Sequence, residues 1–122
     1  MGACYSVNLK VNIKDEKGVI EALKEHMNND TSAVYENTDA ETFDDLIRVL
    51  LADHQRKVDI FKEKKWYYYE NDFDASYGWE SVMLEWFEVM APFLKNGSRL
   101  IIYPDSGRDE VVIRNGKCVW VK

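Results

Sequence analysis

From Ala3 to Ile13 the chain reads ACYSVNLKVNI, and Tyr5, Val7, Leu9, Val11 and Ile13 alternate with polar residues. Successive side chains of a strand point to opposite faces, so this period-2 pattern predicts a strand over 3–13 with one buried face. The period then changes. Val19, Ile20, Leu23 and Met27 fall on one helical stripe, Asp15 is placed to cap a helix beginning at Glu16, and Asn28-Asn29-Asp30 ends it. The short segment SAVYE, 32–36, is a candidate second strand. Thr38-Asp39-Ala40-Glu41 has capping-box form, and Phe43, Leu46, Ile47, Leu50 and Leu51 recur at helical spacing, which predicts a helix over about 39–53.

Two further runs, RKVDIF at 56–61 and KWYYYE at 65–70, read as strands joined by a charged turn, with extension of the preceding helix to Phe61 as the alternative. The longest apolar stripe follows. Trp79, Val82, Met83, Trp86, Phe87 and Met90 share one helix face, and Glu80, Glu85 and Glu88 lie away from it. Ser76 or Asp74 is placed to cap this helix, Pro92 should kink or thin its last turn, and Asn96-Gly97 stops it. The chain closes with RLIIY, the turn PDSG, DEVVIR, the turn Asn115-Gly116 and KCVWV. Asn-Gly between alternating runs is a strong hairpin signal, so the end of the chain is a β-meander. The sum is one α+β domain over 1–122: a mostly antiparallel sheet of about five to seven strands, with three helices packed mainly on one face.

Composition agrees with a globular chain: 46% of the 122 residues are hydrophobic and 31% charged. No run reaches the 18 or so apolar residues that a membrane span needs, and no secretory signal opens the sequence, so a cytoplasmic protein is expected. The start MGACYS fits a myristoylation pattern through Gly2 and Ser6, but the strand alternation begins at Ala3 and leaves no spacer for an anchor. Cys4 and Cys118 read as reduced thiols in strands.

Catalytic and metal chemistry finds little support. Asp72, Asp74 and Ser76 imitate positions 1, 3 and 5 of a calcium loop, but Tyr77 stands where glycine is needed and Met83 where the bidentate glutamate belongs. Cys4, His26, His54 and Cys118 lack the paired spacing of a zinc site. No phosphate-cradling glycine loop, nucleophile elbow or dinucleotide fingerprint occurs. The expectation is a non-enzymatic protein with neither metal nor cofactor.

What remains is surface chemistry. The stretch from Lys64 to Met90 holds nine aromatic residues, and in a strand Trp66 and Tyr68 point one way while Tyr67 and Tyr69 point the other. One pair supplies partners for the long helix. The other is left for a surface, and aromatic residues beside charge are what interface hot spots use. The formal charge is −6, which repels nucleic acid and favours a partner with a basic surface. The expected protein-binding surface consists of Tyr67 and Tyr69 with Asp72 and Asp74, joined by an acidic cluster of Glu36, Asp39, Glu41, Asp44 and Asp45. The alternative is a single-stranded nucleic-acid or small-ligand module built on Arg56, Lys57, Lys62, Lys64, Lys65 and Trp66, where lysines would track phosphates beside a stacking ring. In size and charge the chain is similar to small accessory proteins of phages and mobile elements, including anti-CRISPR and other anti-defence inhibitors. That similarity implies an inhibitor; a monomer or a homodimer is expected.

Overall fold

The computed structural model describes residues 3–29, 41–51, 55–61, 64–75, 78–104 and 107–121, with backbone only for Ala3, Asn29, 55–61 and 64–65. Six strands form one antiparallel sheet: β1 (Ala3–Val11), β2 (Gln55–Phe61), β3 (Lys64–Ala75), β4 (Arg99–Tyr103), β5 (Asp109–Arg114) and β6 (Lys117–Trp120). Their order in space is β2-β3-β1-β4-β5-β6, with every pairing antiparallel. The best-patterned strand of the sequence, β1, lies inside the sheet between β3 and β4. Three helices accompany the sheet: α1 (Glu16–Asn29), α2 (Phe43–Leu51) and α3 (Trp79–Met90). The fold is therefore α+β with a C-terminal meander.

The alternation of β1 decides which face the helices cover. Tyr5, Val7, Leu9 and Val11 are buried, and they pair with Phe73, Asn71, Tyr69 and Tyr67 of β3. Directly paired residues share a face, so the odd-numbered side of β3 is carried under the helices. Leu100 and Ile102 of β4 and Val111 and Ile113 of β5 complete the sheet side of the core. Met83, Trp86, Phe87 and Met90 come down from α3, Leu46, Ile47, Leu50 and Leu51 from α2, and Val19 and Leu23 from α1.

The local signals act largely where the sequence sets them. Asp15 accepts the Gly18 amide at 3.0 Å and caps α1. At Gly18 an added Cβ would stand 2.9 Å from the Phe93 ring, so the missing side chain lets the ring lie against the helix. Pro92 tightens the end of α3 into a 3-10 turn over Ala91–Phe93. Asn115 and Gly116 adopt φ of 53° and 74°, as a type I′ hairpin turn requires.

Of the remaining expectations some are corrected, one alternative is removed, and others fall outside the described residues. Helix α2 is capped by Thr42, whose Oγ1 accepts the Asp45 amide at 3.1 Å, while Thr38 lies outside the described residues. The candidate strand 32–36 also lies outside them. Residues 55–61 form a strand and do not prolong α2, because they pair along β3 from Gln55↔Glu70 to Phe61↔Lys64. Asp74 does not cap α3. It sits in β3 opposite Cys4, and the N-cap of α3 is Gly78 without a side-chain bond.

The C-terminal end of α2 is closed by two side chains from elsewhere. The Asn71 amide donates to the Leu51 carbonyl at 2.6 Å and the Trp79 indole to the Leu50 carbonyl at 2.8 Å. These satisfy carbonyls that a helix end leaves open, and they tie α2 to both β3 and α3.

Candidate functional site

With the helices gathered on one side, the even-numbered residues of β3 and β1 face away from them. Trp66, Tyr68, Glu70, Asp72 and Asp74 line this open face on β3, and Cys4, Ser6, Asn8 and Lys10 stand beside them on β1. β4 contributes Arg99, Ile101 and Tyr103. Cys4 and Ser6 of β1 are small beside Tyr103 of β4, and a trough runs along this part of the face. One depression of about 590 Å³ is lined by Ser6, Asn8, Glu70, Asp72 and Tyr103, and a second adjoins it around Cys4, Asp74 and Pro104.

Bonds across the strands fix two of its carboxylates. The Ser6 hydroxyl donates to Asp72 at 2.5 Å and the Cys4 thiol to Asp74 at 2.8 Å. Glu70, Asp72 and Asp74 are all exposed, and Tyr103 on the far wall is 38% exposed. A guanidinium, from Arg108, lies 5.9 Å from the Tyr103 ring. Arg108 and Arg99 both bind Glu110, which is only 6% exposed. At the opposite end of the face the Lys10 ammonium lies 4.8 Å from the Trp66 ring and 5.6 Å from that of Tyr68. The face is therefore acidic at one end and cationic-aromatic at the other.

The predicted protein-binding residues divide between the two sides of the sheet. Asp72 and Asp74 stand in the trough. Tyr69 does not form a surface: it is 1% exposed, stacks on the half-buried Tyr67 with ring centroids 6.3 Å apart, and meets Phe43 edge-on at 5.9 Å. Its hydroxyl donates to Asp44 at 2.5 Å. A buried tyrosine needs a partner for its hydroxyl, and Asp44 serves as one. Glu41 pairs with Lys24 of α1 at 3.4 Å, and Asp45 is half-buried in the first turn of α2. These carboxylates belong to the helix side and are separated from Asp72 and Asp74 by the sheet. Glu36 and Asp39 lie outside the described residues.

Among the alternative residues, Trp66 lies on the open face, and Lys57 stands opposite Tyr68 in register. Arg56 is opposite Tyr69, and Lys64 and Lys65 begin β3. Lys62 lies outside the described residues. The sequence reading missed Tyr103, Ser6, Asn8 and Lys10. The alternation of β1 already marked its polar positions as one face, which is the signal that could have found three of them.

Two groups on the helix side have altered acidity. Burial, with the Glu88 charge nearby, pushes the Cys118 thiol up to about 11, so it stays protonated and weakly nucleophilic. Burial also raises the Glu80 carboxyl above its ordinary 4.5, and a hydrogen bond to Asp109 and the charge of Asp109 add to the rise. Between 4.5 and that raised value the folded chain binds more proton at Glu80 than the unfolded chain does. Glu80 therefore stabilises the fold at acidic pH, and that contribution is lost as pH rises from 4.5 through its raised folded value. Glu80→Gln is expected to raise the melting temperature at neutral pH and to give no gain below 4.5. A gain of the same size at both pH values would show that the ionisation of Glu80 is not the cause.

Among the described residues no group of three or more histidine, cysteine, aspartate or glutamate side chains is placed to hold a metal ion. No helix among them is long and apolar enough to cross a membrane. The chain matches no protein-family model, no curated protein and no solved structure.

Proposed function

We propose that this protein is a non-enzymatic interaction module that presents the open face of its sheet to a protein partner with a basic surface. The observation that carries this reading is the trough, where Glu70, Asp72 and Asp74, all exposed, and the Tyr103 phenol line two adjoining depressions on a sheet face that none of the described helices covers. Carboxylates held on rigid strands attract a cationic surface from a distance and orient it on arrival, while the tyrosine supplies amphipathic contact area. An acidic inhibitor that fills a basic groove of its target, of the kind mobile elements carry, is the use such a face suits best.

The test is capture of partners from a lysate by wild-type protein and by an Asp72→Asn, Asp74→Asn, Tyr103→Ala variant, at low and high salt. The expected result is a protein that wild type retains, that salt elutes, and that the variant retains at least about tenfold less well. Equal capture by a correctly folded variant would overturn the reading.

The second reading places single-stranded nucleic acid on the other end of the same face, and the observation favouring it is the Lys10 ammonium held against Trp66 and Tyr68. It requires an oligonucleotide affinity that falls steeply with salt and is lost in Trp66→Ala. Affinity unaffected by either change would remove it.

A further inference from the structure

The register of the sheet arranges the open face in rows that run across the strands. One row holds Tyr68, Lys10, Arg99, the buried Val112 and Val119. The next holds Glu70, Asn8, Ile101 and the buried Glu110 and ends at Val121, whose amide bonds the Glu110 carbonyl at 2.9 Å. Beyond it stand Asp72, Ser6 and Tyr103. Cationic and acidic positions thus occupy neighbouring rows at the β3 and β1 columns, and two valines occupy the same two rows at the β6 column.

We propose that a second copy of this chain packs on this face, about a two-fold axis that crosses the strands between the Lys10 row and the Glu70 row. This inference rests on the reading of the open face as an interaction surface, and it names the occupant. Rotation about such an axis lays each strand over its own counterpart with its direction reversed. Val119 then meets the partner's Val121, Lys10 lies over the partner's Asn8 and Glu70 over the partner's Tyr68, and the long Lys10 side chain reaches one strand across toward the partner's Glu70 and Asp72, with each contact made twice. Opposite charges meet although both chains carry −6, because each row meets its complement and not itself.

Two observations favour a second copy over an unrelated cationic protein. Of the four exposed large hydrophobic residues among the described ones, Tyr103, Val119 and Val121 all stand on this face, and a purely electrostatic partner would leave the valines in water. The charge pattern also changes sign along the strand direction, which a two-fold rotation matches and a uniformly basic surface does not. Sheets that pack face to face lie about 10 Å apart, a gap that side chains of this length fill.

The experiment is sedimentation equilibrium of the full chain over a range of concentrations, at low and moderate salt, with two charge-swapped variants. Glu70→Lys with Asp72→Lys places like charges together in its own dimer, and so does Lys10→Glu. Mixed with each other, they place opposite charges together at both contacts. The expected result is a wild-type dimer weakened by salt, each variant alone dissociating at least about tenfold more readily, and the mixture recovering as a heterodimer. Val119→Lys, which alters no swapped pair, should weaken every one of these dimers.

A wild type that stays monomeric throughout would overturn the proposal. So would a dimer indifferent to both swaps, which would locate the contact elsewhere, for example at the free edge of β6 beside the 53% exposed Trp120. If the chain is monomeric yet captures a partner that the Asp72, Asp74 and Tyr103 variant loses, the interaction face stands and only its occupant changes. If the swaps behave as expected while no other partner is captured, the face is a self-association surface alone.

Discussion

Replacing Trp86 by alanine is expected to cost about 3–5 kcal/mol of stability, a large fraction of what a domain of this size possesses. Trp86 is the largest of the fully buried side chains and belongs to the core cluster that α3 shares with the sheet and the other two helices. Truncation removes the transfer free energy of an indole and leaves a cavity that rigid strands on one side cannot close. The opposite case lies in the same molecule. Trp120 is 53% exposed at the sheet edge, and Trp120→Ala should change stability by less than about 1 kcal/mol. Urea unfolding of both variants, followed by circular dichroism, compares them directly. Similar midpoints for the two would contradict the placement of Trp86 at the centre of the core.

The contrast between Trp86 and Trp120 also marks what the sequence makes legible. Helical spacing placed Trp86 on the apolar stripe of α3, and the fold depends on that stripe, so the assignment is physical. The alternation of β1 was equally readable because one buried face forces it. The faces of β3 were not, since aromatic residues occupy both of its sides and alternation alone cannot say which side is covered. The answer depends on pairing: Val11 stands opposite Tyr67 and Leu9 opposite Tyr69, so the covered side of β1 claims the odd-numbered tyrosines.

The length of β3 mattered in the same way. A strand ending at Glu70 leaves Asp72 and Asp74 in a loop, where they read as calcium ligands or helix caps. The pairing of β1 with β3 continues to Ala3↔Ala75, which carries both aspartates onto the open face beside Ser6 and Cys4. Such pairing between residues about 70 positions apart leaves no local trace. The acidic residues before α2 were misjudged for a related reason. Their number was visible, but Asp44 accepting the Tyr69 hydroxyl and Glu41 meeting Lys24 are tertiary facts.

The second large effect concerns Glu110, the one charged residue among the described residues that is buried. Its carboxylate takes one guanidinium on each oxygen, Arg99 at 3.0 Å on Oε2 and Arg108 on Oε1, and the two arginines approach from β4 and from the residue before β5. Both arginine side chains are partly exposed, at 38% and 51%, so losing either one leaves the carboxylate with the other. Each single alanine variant should therefore cost only about 1 kcal/mol, in the range of a partly exposed ion pair. The double variant strands a buried charge with no cation, and such a loss costs about 3 kcal/mol or more. The expected signature is a double-variant cost well above the sum of the singles.

Adding Glu110→Gln to the double variant should recover much of the loss, because a neutral amide is less costly to bury unpaired than a carboxylate. Thermal unfolding of the wild type and the four variants measures this directly, and strict additivity with no recovery by glutamine would show that Glu110 is not held by the pair. The consequence reaches the trough. Arg108 is both a partner of Glu110 and the cation beside Tyr103, so the buried carboxylate anchors one wall of the proposed interaction face. Arg108→Ala should leave the fold standing while loosening that wall, and its effect on association should exceed its effect on stability.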